Sequence, residues 1–329
     1  MAFKIPSSLK LTQLRALAFK CGISTSGTKG ILTQRLHDEI SSVTRLPASK
    51  QTRVLSIDMG IRNLAYCLLT VPNEQLSLSP GISTKAKLPK IESWHRISVS
   101  SPVVETGEPL NPDKESFSPA TLSLSAYKLL RHKLLPHNPT HILIERQRFR
   151  SMGSKHILEW TVRVNMFESI IYATLHTLEE EGVWDGEVVG VLPGKVGPFW
   201  VGENEKEKED APDRRSEFYR KVRNAKSSKI RSKGLKMDLV RDWLEAGDVV
   251  ELGNQDVKER AKGYTQKWDR LPGRMKGVKN GVRVEGEMGK LDDLADCLLQ
   301  GMAWIQWERN KRIALNEGVA ALLEGVRHD

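Results

Sequence analysis

Leu11, Leu14, Leu17, Ala18 and Cys21 recur at helical spacing, and Gly22 ends that run. Thr28 then stands as the cap of a second run formed by Ile31, Leu32, Leu36 and Ile40. The pattern predicts a compact helix–turn–helix unit over residues 1–40. Residues 41–51, SSVTRLPASKQ, are polar with one proline and read as a linker. From Val54 the period changes. Val54–Asp58 and Leu64–Thr70 are short β-rich runs on either side of Gly60, which predicts a hairpin with Asp58 near its turn, and Ile91–Val99 predicts a third strand. Residues 71–90 and 100–118 are rich in Pro, Ser, Gly and Lys and read as surface loops.

Helical spacing returns over Leu122–Leu135. The apolar run Ile142–Glu145 ends in a carboxylate, a long helix is predicted from about Lys155 to Glu181, and Glu187–Leu192 is another strand, closed by Pro193 and Gly194. Helix, strand, helix is the rhythm of a mixed α/β sheet. Residues 202–216 alternate acids and bases with few apolar side chains, which predicts an exposed insertion near 201–234. Two helices, Leu235–Leu244 and Leu291–Trp307, follow, separated by a basic loop. The chain thus divides into a helical module (1–40), a linker (41–51) and an α/β body (52–329), as 329 residues allow.

Charge adds the first functional constraint. Lys and Arg number 51 against 41 Asp and Glu, a net charge of +10, so a polyanion is the first partner to consider. Cys21, Cys67 and Cys297 lie far apart with no CxxC, which argues against a disulfide framework and a structural zinc. No window approaches 18 consecutive apolar residues, so no membrane span is expected. The first 37 residues carry six Lys or Arg and no acid, which also fits a mitochondrial transit peptide. GTKG and LPGKVG lack the spacing and the following Ser or Thr of a Walker A loop, so no ATP is expected. There is no GxSxG elbow, and His141 and His176 read as structural.

Three acidic positions stand out. Asp58 ends VLSID, Glu145 ends HILIE, and Asp292, Asp293 and Asp296 open a helix in KLDDLADCLLQGMAWIQW. Singly, each has an ordinary explanation as a turn former, a solvated strand end or a helix-dipole partner. Together they are harder to dismiss, because strand ends in an open α/β sheet converge on one edge and a packed helix can bring its first turn to the same point. Asp292 and Asp296 are i, i+4 and Asp293 and Asp296 are i, i+3, so either pair shares a face. Gathered carboxylates repel unless a cation binds, and hard oxygen donors point to Mg²⁺ or Mn²⁺ rather than zinc. Two such ions about 3.5–4 Å apart activate a water and stabilise the leaving oxygen of a phosphodiester.

SIDMGIRNLAYCLL (56–69), ILIERQRFRS (142–151) and KLDDLADCLLQG (290–301) resemble the three acidic motifs of the RuvC-like branch of the ribonuclease H fold. LKLTQLRALAFKCGISTSGTKGILTQRLHDEI (9–40) resembles the SAP motif, a small helical DNA-binding module. In this order the motifs resemble the fungal mitochondrial Holliday-junction resolvases. The resemblance implies an α/β ribonuclease H-like nuclease of the mitochondrial matrix. It implies a homodimer that makes paired, symmetric nicks in four-way DNA junctions with two Mg²⁺ ions, Mn²⁺ substituting. By position, Asp58 corresponds to the metal ligand that bridges both ions and Glu145 to the ligand of the ion that activates water. The last two acids fall on Asp296 with either Asp292 or Asp293.

DNA contacts are expected from basic residues around those motifs: Arg146, Gln147, Arg148, Arg150 and Lys155 after Glu145, Lys290 before the acidic cluster, and Lys29 in the helical module. From Arg220 to Lys236 there are eight basic residues and no acid, among them Lys226, Lys229, Arg231 and Lys233. Such a run is a flexible solvated loop or a phosphate-contact surface. The basic stretch Lys258–Arg283 carries Tyr264 and Trp268, which either stack on exposed bases or pack inside. Part of the helix after Lys155 packs in the core or at a dimer interface. Two alternatives stay open. One is a catalytically silent RNA-binding splicing cofactor of the same fold, and the other is a different ribonuclease H-like nuclease.

Overall fold

In the computed structural model the described residues are 3–43, 51–77, 87–99, 117–147, 158–202, 228–270 and 290–323. They form α1 (Leu11–Lys20), α2 (Lys29–Ser41), β1 (Gln51–Asp58), β2 (Leu64–Pro72), α3 (Asn73–Ser77), β3 (Lys90–Ile97), α4 (Pro119–Lys128), β4 (His141–Glu145), α5 (Glu159–Glu180), β5 (Glu187–Val191), α6 (Pro193–Gly197), α7 (Ser228–Ala246), β6 (Glu251–Leu252), α8 (Gln255–Arg270), α9 (Leu291–Glu317) and α10 (Ala320–Leu323). The sheet order is β5-β4-β1-β2-β3-β6. β1, β2 and β3 pair antiparallel, while β4 lies parallel to β1 and β5 parallel to β4.

Both faces of this mixed sheet are covered. Along β1, Val54 joins a core with α7, α8 and α9, whereas Leu55 and Ile57 join a second core with α4 and α5. Alternate residues of a strand point to opposite faces, so a strand buried on both sides reads as the nearly continuous apolar run seen in β2. α9 is the central helix of its layer. It lies close to the sheet because Gly301 has no side chain: a Cβ there would stand 2.7 Å from Leu69 Cδ1 and 3.2 Å from Ser56 Cβ.

α1 and α2 form the predicted helical pair, and the pair is seated on the body. Leu14, Leu17, Leu32, Leu36 and Ile40 share one core with Ile313, Ala314 and Leu322 of α9 and α10. Gly22 closes the turn after α1 at φ +66°, and a Cβ on it would stand 2.3 Å from the Trp307 ring.

Several expectations are corrected. The region between the last two predicted helices, read as a basic loop, holds α8; of the two readings left open for Tyr264 and Trp268 the structure gives packing inside, at 0% and 1% exposed. Tyr264 rests against Trp94 at 5.3 Å and donates its hydroxyl to Met237 O at 3.1 Å. The helix expected from Leu235 begins by Ser228, inside the expected insertion, and α9 continues ten residues beyond Trp307 to Glu317. β2 and α3 occupy the start of the expected 71–90 loop. Most of the expected insertion, the 100–118 loop up to residue 116, and Lys226, Arg148, Arg150 and Lys155 lie outside the described residues. Cys21, Cys67 and Cys297 are free and buried, and no described helix is long and apolar enough to cross a membrane.

His141 is buried, tilted against Trp304 at 4.7 Å, and burial lowers its pKa to about 4, with Glu308 opposing and Arg312 assisting that shift. Between pH 6.5 and 4 the unfolded chain therefore binds a proton that the folded chain refuses. Stability in urea is expected to fall by about 3 kcal/mol as pH drops through that window. His141→Leu should flatten that part of the profile, and an unchanged slope would show that other groups set it. His176, by contrast, lies exposed on α5 beside Glu179.

Candidate active site

Asp58 and Glu145 are the last residues of the neighbouring parallel strands β1 and β4. The register pairs Ile57 with Ile144, so the two carboxylates leave the sheet side by side at its carboxyl edge. They share a hydrogen bond. α9 crosses behind them and brings Asp296 to the same pocket, which is lined by Asp58, Glu145, Asp296, Gln300, Lys236 and the α6 residues Pro193, Val196 and Gly197. The juxtaposition expected from the motifs is therefore present for these three acids.

Gln300 holds the arrangement. One helical turn after Asp296, its Nε2 donates to Ser56 Oγ (3.1 Å) and Ile57 O (3.2 Å) on β1 and reaches Leu143 O (3.5 Å) on β4. A buried amide that bridges two strands and a helix fixes all three elements that carry the acids.

The other two acids diverge. Asp293 accepts from Arg96 Nε at 3.2 Å, and Arg96 also donates to Asn63 in the β1–β2 turn. Asp292 pairs with Lys233 and Asp296 with Lys236. Lys233 and Lys236 are i, i+3 on α7 and face the i, i+4 pair Asp292 and Asp296 on α9, so the two helices are zipped by two ion pairs along the rim of the pocket.

Burial raises the Asp58 pKa well above the carboxylate range, and the Glu145 hydrogen bond and the charges of Glu145, Asp296 and Asp293 add to it. Asp293 is pushed up to about 6 by burial and by Asp292, against Lys290 and Arg96. Asp296 is raised by burial in opposition to Lys236. Burial and crowding at one strand edge thus disfavour the charged forms of Asp58 and Asp296. Among the described residues no three acidic, His or Cys side chains already stand in metal-ligating geometry. The donor chemistry nevertheless fits a hard divalent cation, since carboxylate oxygens from two strand ends and a helix converge on one pocket.

Around the pocket, Gln147 donates its backbone N–H to Glu168 Oε2 at 3.0 Å, and Arg146 crosses Gly190, where a Cβ would stand 2.9 Å from its Cδ. Lys290 caps α9 and is exposed. Lys29 is exposed and donates to Ser7 O at 2.9 Å. Lys229 and Arg231 fall on α7, but their side chains lie outside the described residues. The sequence reading missed Arg96, Asn63 and Gln300 as site residues, and it left Lys236 in a basic run without a role. The signal for Gln300 was a lone amide in the apolar stretch DCLLQGMAW. For Lys236 it was helical spacing with Lys233, which an expected helix start at Leu235 concealed.

Comparison with known proteins places the chain in a family. The family model for mitochondrial resolvase Ydc2 / RNA splicing MRS1 matches residues 54–313. The mitochondrial cruciform cutting endonuclease 1 of Schizosaccharomyces pombe is 29% identical over 309 residues, covering 92% of this chain and 93% of that protein. Its Saccharomyces cerevisiae namesake is 24% identical over 322 residues, covering 92% and 82%. The crystal structure of the yeast mitochondrial Holliday junction resolvase Ydc2 superposes with a TM-score of 0.57 at 24% identity, covering 94% of this chain and 98% of that one, and so shares its fold. With the match running from Val54 in the middle of β1 through most of α9, and therefore across every acid of the pocket, this chain belongs to the Ydc2/MRS1 family of mitochondrial resolvases and RNA-splicing proteins.

Proposed function

We propose that this protein is a mitochondrial endonuclease that resolves four-way DNA junctions by paired symmetric nicks. The observation that carries the reading is the convergence of Asp58, Glu145 and Asp296 on one pocket at the carboxyl edge of β1 and β4. The names of the two relatives, which align with most of this chain, support the substrate and the mitochondrial compartment, within which the matrix is our own assignment.

Asp58, Glu145 and Asp296 would hold Mg²⁺ or Mn²⁺, two ions per site, with Asp293 rather than Asp292 as the fourth acid. Both are ion-paired, Asp293 with Arg96 and Asp292 with Lys233, but of the two Asp293 is the one whose charge acts on Asp58. When bound, the ions supply an activated water and stabilise the leaving oxygen. The chain's own residues do the rest. Gln300 keeps β1, β4 and α9 in register. Lys236 balances Asp296 until the site is loaded. Lys233, Lys290, Arg146 and Gln147 lie around the acids and contact DNA, and the basic residues of 148–155 and 226–231 add further phosphate contacts.

The helical pair at residues 3–43 serves as a SAP-like module, with Lys29 on its exposed face. A homodimer completes the assembly. Leu158, Trp160 and Val162, 73%, 38% and 48% exposed at the start of α5, support an interface there.

The test is cleavage of a labelled four-way junction beside a matching linear duplex, each with Mg²⁺ and with EDTA. Symmetric nicks on the junction alone, absent in EDTA, are expected. Tight junction binding without cleavage in either Mg²⁺ or Mn²⁺ would overturn the reading in favour of the RNA-splicing branch named in the family description.

A further inference from the structure

The segment 193–202 has two faces with different neighbours. Pro193, Val196 and Gly197 line the acid pocket. Lys195, on the same short helix α6, points the other way and donates its ammonium to Gly22 O, in the turn between α1 and α2, at 2.6 Å. Two residues after α6, Phe199 meets Phe19 of α1 at 5.8 Å and Trp307 of α9 at 5.6 Å. The next residue, Trp200, meets Trp243 of α7 at 4.9 Å, and α7 is the helix that carries Lys233 and Lys236. One wall of the pocket is thus in direct contact with the amino-terminal module.

The interface around this contact is not filled. A cavity of about 250 Å³ lies between module and body, lined by Gly22, Glu39, Lys195, Trp304, Glu308 and Lys311. The Lys195 bond spans this open part of the interface and adds a directed, charge-assisted contact to the packing of Phe199 on Phe19 and of Gly22 on Trp307. The acceptor is itself held in place, because Gly22 lies against the Trp307 ring and Asn310 Nδ2 donates to Lys20 O at 2.5 Å.

We propose that Lys195 is a positioning residue: through its bond to Gly22 the amino-terminal module braces the segment 193–202 and so sets the shape of the acid pocket. The module then acts on the chemical step as well as on DNA affinity. The effect on cleavage rests on the nuclease reading above, whereas the bracing of 193–202 does not.

The test uses the full chain with Lys195→Met, Lys195→Arg and, as a comparison, Lys20→Met. Lys20 also ties the module to the body, donating to Leu322 O at 2.8 Å, but its acceptor lies on α10, away from the pocket. Without substrate, amide hydrogen exchange over 193–202 should quicken in Lys195→Met and stay unchanged in Lys20→Met. With junction at saturating enzyme, the single-turnover rate should fall about tenfold in Lys195→Met while junction Kd stays unchanged, since coupling through such contacts is of that size. Lys195→Arg, which keeps a donor, should recover most of the rate. Unchanged exchange in Lys195→Met overturns the proposal, as does an equal rate loss in Lys20→Met or a loss carried wholly by Kd. A wild type that cuts no junction but whose 193–202 exchange responds to Lys195→Met sinks the nuclease reading and leaves the brace standing.

Discussion

Asp58→Asn is expected to abolish junction cleavage, by on the order of 10³-fold or more, while junction affinity holds to within about twofold. The two halves have separate causes. Asp58 is the acid on which burial, the Glu145 hydrogen bond and the other carboxylates all act, so it sits at the electrostatic centre of the pocket. An amide there has no charge to offer a cation. The proposed phosphate contacts lie on other residues, and affinity for a duplex arm depends mainly on those cations. Gel-shift titration in EDTA and a cleavage time course in Mg²⁺ separate the two effects, and retained cleavage would remove Asp58 from the chemistry.

The same substitution should stabilise the protein in EDTA. Because the folded state raises the Asp58 pKa, it holds a proton that the unfolded chain releases once pH exceeds the ordinary carboxylate range. Stability contributed by this group therefore declines as pH rises through that window. Asparagine carries no such penalty. Asp58→Asn should melt above the wild type at pH 8, with the difference shrinking towards pH 4. A lower melting temperature at pH 8 would show that the carboxylate is fully compensated in the folded state.

Gly22→Val should produce the largest loss of stability. Its φ of +66° suits glycine, and a β-branched residue there costs about 1–2 kcal/mol in backbone strain alone. The added Cβ also meets three atoms of the Trp307 ring within 2.7 Å, and a buried indole cannot step aside as a flexible chain end could. Overpacking of this kind adds about 1–3 kcal/mol. Together these amount to about 3 kcal/mol, or a melting point lower by roughly 5–10 °C. Calorimetry reads it directly. A transition within a degree of wild type would mean that the turn and Trp307 relax together at little cost.

How far the sequence reaches is clearest at particular residues. The helical pair, β1 to β5 and the helices from α4 onwards, apart from α6, α8 and α10, were legible, because period 3.6 and period 2 separate apolar faces that a single layer must bury. Asp58 and Glu145 were legible as a pair, since both end apolar runs and parallel strands present their ends at one edge. α8 was not. Its buried residues Val257, Ala261, Tyr264 and Trp268 do recur at helical spacing, but they stand among charges, and the Trp94 and Met237 they meet come from distant parts of the chain. Tyr264 and Trp268 were therefore left open between stacking on bases and packing inside.

What the sequence by itself determined is the fold class, the basic character and the candidate acids, because these follow from periodicity, composition and the order of motifs. What only the tertiary structure decided is how five acids divide. Asp296 joins Asp58 and Glu145, Asp292 is held by Lys233, and Asp293 turns to Arg96. The spacing DDLAD puts all three aspartates near one helix face, and their partners come from α7 and β3, respectively about 60 and nearly 200 residues away in sequence. A local pattern can place side chains on a face. Which opposite charge meets each of them depends on how the helix crosses the sheet, and that crossing is set by Gly301, Gln300 and the packing of both layers.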